Sequence, residues 1–234
     1  MRISLKDVKV YIISPGTGAY SARLLTVFGR LVATGFKRVE FFRALPSASD
    51  PSSKDPGISN AAATDSLTRT VLAIAERELI GGMRHPFIIV EDDVGIMTDS
   101  DSVDVPDDAD ALYLGVSKWI YPHKYETLGR GFHIQENSPT YVKECGSGSV
   151  TRILGMTGGH AILFINPEYV RQFIAALTAR LPFSTPHDLV YATMHPKFNV
   201  YALKNPMFYQ DAALGGQEVV TRLRYNGERY VAAD

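Results

Sequence analysis

The chain has 234 residues, of which 45% are hydrophobic and 21% charged, and its formal net charge is −1. That length buries a substantial core and suits one domain of ordinary α/β size, while the composition excludes a disordered chain and a broadly DNA-coating one. The single cysteine, Cys145, has no internal disulfide partner, which agrees with a reducing compartment.

The amino terminus, Met1-Arg2-Ile3-Ser4-Leu5-Lys6-Asp7, lacks the apolar region of a signal peptide. No stretch approaches the roughly 18 apolar residues that span a bilayer, so the expected location is the cytoplasm. Val8 to Ile13 reads as a buried strand entering the turn Ser14-Pro15-Gly16-Thr17-Gly18. Leu24, Leu25, Phe28, Leu31 and Val32 recur at helical spacing, with Gly35 placed for a left-handed cap. Val39 to Leu45 is a second strand, and this strand-helix-strand opening favours a parallel sheet. Pro46 to Ser59, rich in Ser, Pro and Asp, reads as a mobile surface loop.

Leu67, Val71, Ile74, Ala75 and Leu79 mark the next helix, with Asp65 or Ser66 as its cap and Gly81-Gly82 as its end. The run Phe87-Ile88-Ile89-Val90-Glu91-Asp92-Asp93 follows, an apolar strand that ends in three carboxylates. Ligands in open α/β sheets sit beyond the carboxyl ends of the strands, so a crevice is expected beside Asp92 and Asp93. Three adjacent carboxylates repel one another where the dielectric is low. Mg²⁺ or Mn²⁺ relieves this by taking one or two of them together with water and phosphate oxygens. Asp93 is the first choice for direct metal contact; a plain solvated strand end is the other reading. A second acidic group, Asp99, Asp101, Asp104, Asp107, Asp108 and Asp110, has neither a preceding apolar strand nor a calcium-loop pattern, and reads as a solvated loop.

Ala111 to Val116 is another buried strand, and Ser117 to Ser149 is a long segment rich in Gly, His, Tyr and Lys whose length suggests a binding role or short strands hidden within it. Within it, Trp119 and Tyr121 suit stacking on a sugar or base, or core packing. Val150 to Leu154 and Ala161 to Ile165 are expected to pair around Gly158-Gly159-His160. Helices are expected over Pro167 to Arg180 and Pro186 to Met194, with a late strand over Asn199 to Leu203. In the tail, Arg222, Arg224 and Arg229 interleave with Tyr225 and Tyr230, a pattern compatible with phosphate and base contacts or with a solvated amphipathic element.

Several of these segments, in this order, resemble glycosyltransferases of the nucleotide-diphospho-sugar (GT-A) fold, most closely the lipopolysaccharide-type family 25 and related viral and phage proteins. They are Val10-Tyr11-Ile12-Ile13-Ser14 with Arg23, Ile88-Ile89-Val90-Glu91-Asp92-Asp93-Val94, Thr157-Gly158-Gly159-His160-Ala161-Ile162-Leu163-Phe164-Ile165, Pro186-His187-Asp188, and Val200-Tyr201-Ala202-Leu203 with Pro206 to Gln210. Departures are Gly159, where the family more often has a hydroxyl residue, and the unusual Ser117 to Ser149 region. The resemblance implies a single GT-A domain with a Rossmann-like, mostly parallel sheet flanked by helices. Residues 1–115 would form its nucleotide-sugar half, and 116–234 its acceptor and catalytic half.

It also implies metal-dependent, inverting transfer of a sugar from a nucleotide diphosphate to a hydroxyl, on a glycan or a hydroxymethylated base in phage DNA. Asp188 is the implied base, with a plain helix cap as its other reading. Ser14, Pro15, Arg23, Glu91, Asp92, Gly158, Gly159 and His160 are the implied donor contacts, with Mn²⁺ or Mg²⁺ on Asp93. A nucleotidyltransferase of the same fold is the competing enzyme, although the turn from Ser14 to Tyr20 carries no lysine to grip a triphosphate. A non-catalytic nucleotide- or glycan-binding module is the third reading.

Overall fold

The computed structural model describes residues 1–47, 56–116, 148–153, 156, 158–181, 186–216, 222–225 and 230–233. In chain order the elements are β1 (Arg2–Ser4), β2 (Lys9–Ser14), α1 (Ala19–Ala33), β3 (Arg38–Arg43), α2 (Pro56–Ile80), β4 (Phe87–Glu91), β5 (Val94–Ile96), β6 (Ser102–Asp104) and β7 (Ala111–Tyr113). They continue with β8 (Val150–Arg152), β9 (Ala161–Phe164), α3 (Pro167–Arg180), α4 (His187–Met194), β10 (Val200–Leu203), β11 (Phe208–Gln210), β12 (Arg222–Tyr225) and β13 (Tyr230–Ala233).

A seven-stranded sheet in the order β3-β2-β4-β9-β7-β10-β8 forms the centre. β3, β2 and β4 pair in parallel, as do β7 and β10, while β9 runs antiparallel to both β4 and β7, and β8 antiparallel to β10. All strands but β9 and β8 therefore point one way, the mostly parallel α/β sheet expected. The reason β2 and β4 read as unbroken apolar runs is that both faces are covered. Val10, Ile12, Ile88 and Val90 pack with Val27 and Leu31 of α1. Their alternating neighbours Tyr11, Ile13, Phe87 and Ile89 pack with α2, α3 and α4 through Val71, Ile74, Phe173, Val190 and Tyr191. Asn166 starts α3 by accepting the Glu168 N–H at 2.9 Å, ahead of Pro167 in the first turn.

Three expectations change. First, α2 begins at Pro56, inside the stretch read as a loop, so Asp65 and Ser66 lie within the helix rather than capping it. There Asp65 pairs with Arg69 at 2.9 Å, and Ser66 donates to the Leu45 carbonyl at 2.6 Å. Second, β8 and β9 do not pair: β9 is inserted between β4 and β7, and β8 lies on the far side of β10. Third, the second acidic group is partly structural. Asp110 is buried and accepts the Asn199 N–H at 2.7 Å and the Asn166 side-chain amide, while β6 pairs with β1 and buries Val103. In the tail, β12 and β13 form a two-stranded antiparallel ribbon that sets Tyr225 opposite Tyr230. Trp119, Tyr121, Cys145, Thr157 and Arg229 lie outside the described residues. Among the described residues no helix is long and apolar enough to cross a membrane.

Candidate functional site

Because β2 and β4 are parallel neighbours with Ile13 opposite Glu91, their carboxyl ends bring Ser14 and the acidic triplet together. The buried Ser14 hydroxyl donates to Asp92 Oδ2, and the Gly16 N–H donates to the Ser14 oxygen at 3.1 Å. Pro15 sits half-buried between them, before the left-handed turn at Gly16 (φ 66°). Glu91 continues the β4 alternation towards α4, and its N–H donates to the His160 carbonyl at 3.0 Å. The chain then turns through Asp92 and Asp93 into β5, which pairs antiparallel with β11 and places Val94 opposite Gln210.

The electrostatics are those of crowded acids. Burial, then the charges of Asp93, Asp188 and Asp92, push the Glu91 carboxyl up to about 8, against a hydrogen bond from the Gln210 side chain. Burial and the Asp92 charge push Asp93 up to about 6, with Arg23 pulling the other way. Asp92 is raised by burial and held back by Ser14 and Arg23. Arg23, from the first turns of α1, is thus the cation facing the pair Asp92 and Asp93. Its guanidinium lies 4.9 Å from the Tyr20 ring centre and rests on Gly215, where any Cβ would collide with it.

Asp188 stands in the first turn of α4. Its carboxylate accepts the Leu189 N–H at 2.8 Å and the Gly158 N–H at 3.2 Å. Gly158 is in the left-handed region (φ 102°), and a Cβ on Gly159 would stand 2.7 Å from His187 Nε2 and 3.2 Å from Tyr191. The same loop is held lower down by His195, whose Nδ1 accepts the Met156 N–H at 3.2 Å while Nε2 meets the Tyr113 hydroxyl at 3.1 Å. With Nδ1 accepting, the ring proton is on Nε2. His160 is buried with its ring against Gly115; burial lowers it to about 4, so the imidazole is neutral.

The structure therefore gathers Ser14, Pro15, Arg23, Glu91, Asp92, Asp93, Gly158 and Asp188 at one sheet edge. Gly159 sits under α4, and the His160 ring turns inward. Sequence reasoning named Gln210 only as the end of a resembling segment, and missed Asp211, Arg30 and Gly215. Arg30 pairs with Asp211 at 2.8 Å and donates to the Val94 carbonyl at 3.2 Å. Burial alone would raise Asp211, but Arg30 and the Ala213 N–H bring it below the usual carboxylate range. The available signal was the spacing of Arg23 and Arg30, two turns apart on one helix face.

Among the described residues no three His, Cys, Asp or Glu side chains are grouped to form a metal cage. The donor set fits a hard cation that takes one or two carboxylates and completes its shell with water and phosphate. Asp93 Oδ1, buried and without a hydrogen-bond partner among the described residues, is the open oxygen.

No family model matches the chain, and no curated protein matches it in sequence. Among solved structures the chain is similar to mouse xyloside xylosyltransferase 1 in its apo form, at 10% identity and a TM-score of 0.39, over 85% of each chain. It is also similar to a glycosyltransferase involved in the glycosylation of the major capsid of PBCV-1, at 10% identity and a TM-score of 0.29, over 83% of this chain and 93% of that one.

Proposed function

We propose that the chain is a metal-dependent glycosyltransferase that moves a sugar from a nucleotide diphosphate to an acceptor hydroxyl, with inversion. The observation that carries this reading is the unpartnered, buried Asp93 Oδ1 at the end of β4, amid crowded acids and facing Arg23. A carboxylate crowd held at the ligand-binding edge of an α/β sheet suits a divalent cation, and an adjacent guanidinium suits a diphosphate. Asp93 would hold Mn²⁺ or Mg²⁺, which when bound neutralises charge on the leaving diphosphate. Ser14 and Pro15 line the donor side, and Arg23 meets phosphate oxygens. We read residues 1–115 as the donor half and 116–234 as the acceptor half, the acceptor being a glycan as in the lipopolysaccharide-type family that the motifs resemble.

In this reading Asp188 accepts the proton of the acceptor hydroxyl as its oxygen bonds the anomeric carbon. The bond from that carbon to the diphosphate oxygen breaks, and the electron pair leaves with the nucleotide diphosphate. One observation favours a second reading: both Asp188 oxygens already accept backbone N–H groups, which suits a purely positioning role in a nucleotide- or glycan-binding module. The test is transfer and hydrolysis of nucleotide sugars with Mn²⁺ and with chelator. The transferase reading expects turnover that chelator and Asp93→Ala abolish. Full activity in Asp93→Ala would remove the metal assignment, and no turnover with any donor would favour the binding module.

A further inference from the structure

We propose that Asp211 is a positioning residue that locks the acidic turn and Arg23 into one preformed unit; the inference rests on the reading of that edge as a metal and diphosphate site. The seven residues from Gln210 to Gly216 touch three of its charged groups. Gln210 bonds the Glu91 side chain. The Asp211 N–H donates to the Asp93 carbonyl oxygen at 2.7 Å, fixing the backbone that carries the open carboxylate. The Asp211 carboxylate divides its oxygens: Oδ2 pairs with Arg30 of α1, and Oδ1 accepts the Ala213 N–H at 2.9 Å.

The Asp211 carbonyl then accepts the N–H groups of Leu214 at 2.9 Å and Gly216 at 3.0 Å. Those bonds shape the turn whose left-handed Gly215 (φ 90°) receives the Arg23 guanidinium. Arg23 and Arg30 leave the same helix, so Asp211 closes a loop of contacts: Arg30 to Asp211, Asp211 to Asp93, and the Gly215 turn to Arg23. Asp211 is only 8% exposed, and its pair with Arg30 is partly shielded, so the link is more persistent than a surface ion pair. Such supporting partners set the orientation of a ligand-binding group, and their loss commonly weakens metal affinity by about 10–100-fold.

Binding of Mn²⁺ alone and of inorganic pyrophosphate in the presence of Mn²⁺ tests this without turnover. Asp211→Asn and Arg30→Gln are expected to weaken Mn²⁺ about tenfold, with Arg30→Lys restoring most of the loss. Arg23→Gln leaves the Arg30 pair and the Asp211 turn in place and removes only the guanidinium, so it weakens pyrophosphate far more than Mn²⁺. That split distinguishes positioning from general destabilisation, and it stands even where Asp211→Asn fails to fold. Variants that bind both probes like the wild type overturn the inference alone. A wild-type protein that binds no Mn²⁺ overturns the reading of the site and the inference with it.

Discussion

The Gly158 N–H donates to Asp188 Oδ2 across 3.2 Å, tying the turn before β9 to the first turn of α4. A carboxylate so held is pre-oriented, and it keeps lone pairs for an acceptor proton. Asp188→Asn retains an oxygen acceptor for one backbone N–H but lacks the basic oxygen. It is expected to lower kcat by about 10²–10⁴-fold with the donor Kd nearly unchanged. Equal losses in both quantities, measured by steady-state kinetics and donor titration, would make Asp188 a structural cap.

Glu91 and Asp93 carry folded-state values of about 8 and 6, above their ordinary ones. A carboxyl raised on folding stabilises the protein while protonated, and that stability is lost as pH rises through the folded value. In the metal-free protein the contribution of these two carboxyls should therefore decline as pH rises from about 4.5 to about 8 and be flat above that. Glu91→Gln should flatten that limb and raise Tm at pH 8 by at least about 2 °C. Saturating Mn²⁺, which takes the place of the proton, should flatten it in the wild type. Thermal melts across the pH series check both.

The buried imidazoles impose the opposite slope at low pH. His160 is lowered to about 4 and His195 to about 3 by burial, so the unfolded chain binds protons that the folded one refuses. Their contribution to stability should fall as pH drops below 6.5 towards 4, against the carboxyl contribution of Glu91 and Asp93. Imidazole NMR signals of both residues should report neutral rings down to pH 5, and titration near 6.5 would contradict the burial.

Gly159 is fitted under the buried His187 and Tyr191 rings, with no room for a methyl group. Gly159→Ala is expected to cost about 1–3 kcal/mol through overpacking. Urea unfolding measures this directly, and an unchanged midpoint would show that the α4 rings give way freely.

How much of this was legible in the sequence depended on whether a feature was local. The runs ending at Ser14 and Glu91 announced β2 and β4 because burial on both faces leaves an unbroken apolar signature. The triplet was visible because it adjoins such a run, whereas Arg23 was named only through the resemblance of its segment to a glycosyltransferase one. The start of α2 was hidden because Pro56-Gly57 reads as a breaker, although Pro is tolerated in the first turn of a helix. The insertion of β9 between β4 and β7 was hidden because pairing partners are chosen by tertiary packing, not by the four residues of the strand. Asp211 and Arg30 were missed for a similar reason: Arg30 lies in a patterned helix, but its pairing with Asp211 exists only once β11 reaches α1.

The central claim, a cation and nucleotide-diphosphate site at Asp93, is tested most directly by thermal shift across nucleoside diphosphates and nucleotide sugars, each with and without Mn²⁺. The account predicts that one nucleotide class raises Tm only when Mn²⁺ is present, by an amount equivalent to about 2.7 kcal/mol at 100 times its Kd. It predicts further that Asp93→Ala abolishes this shift. No Mn²⁺-dependent stabilisation by any member of the panel would contradict it.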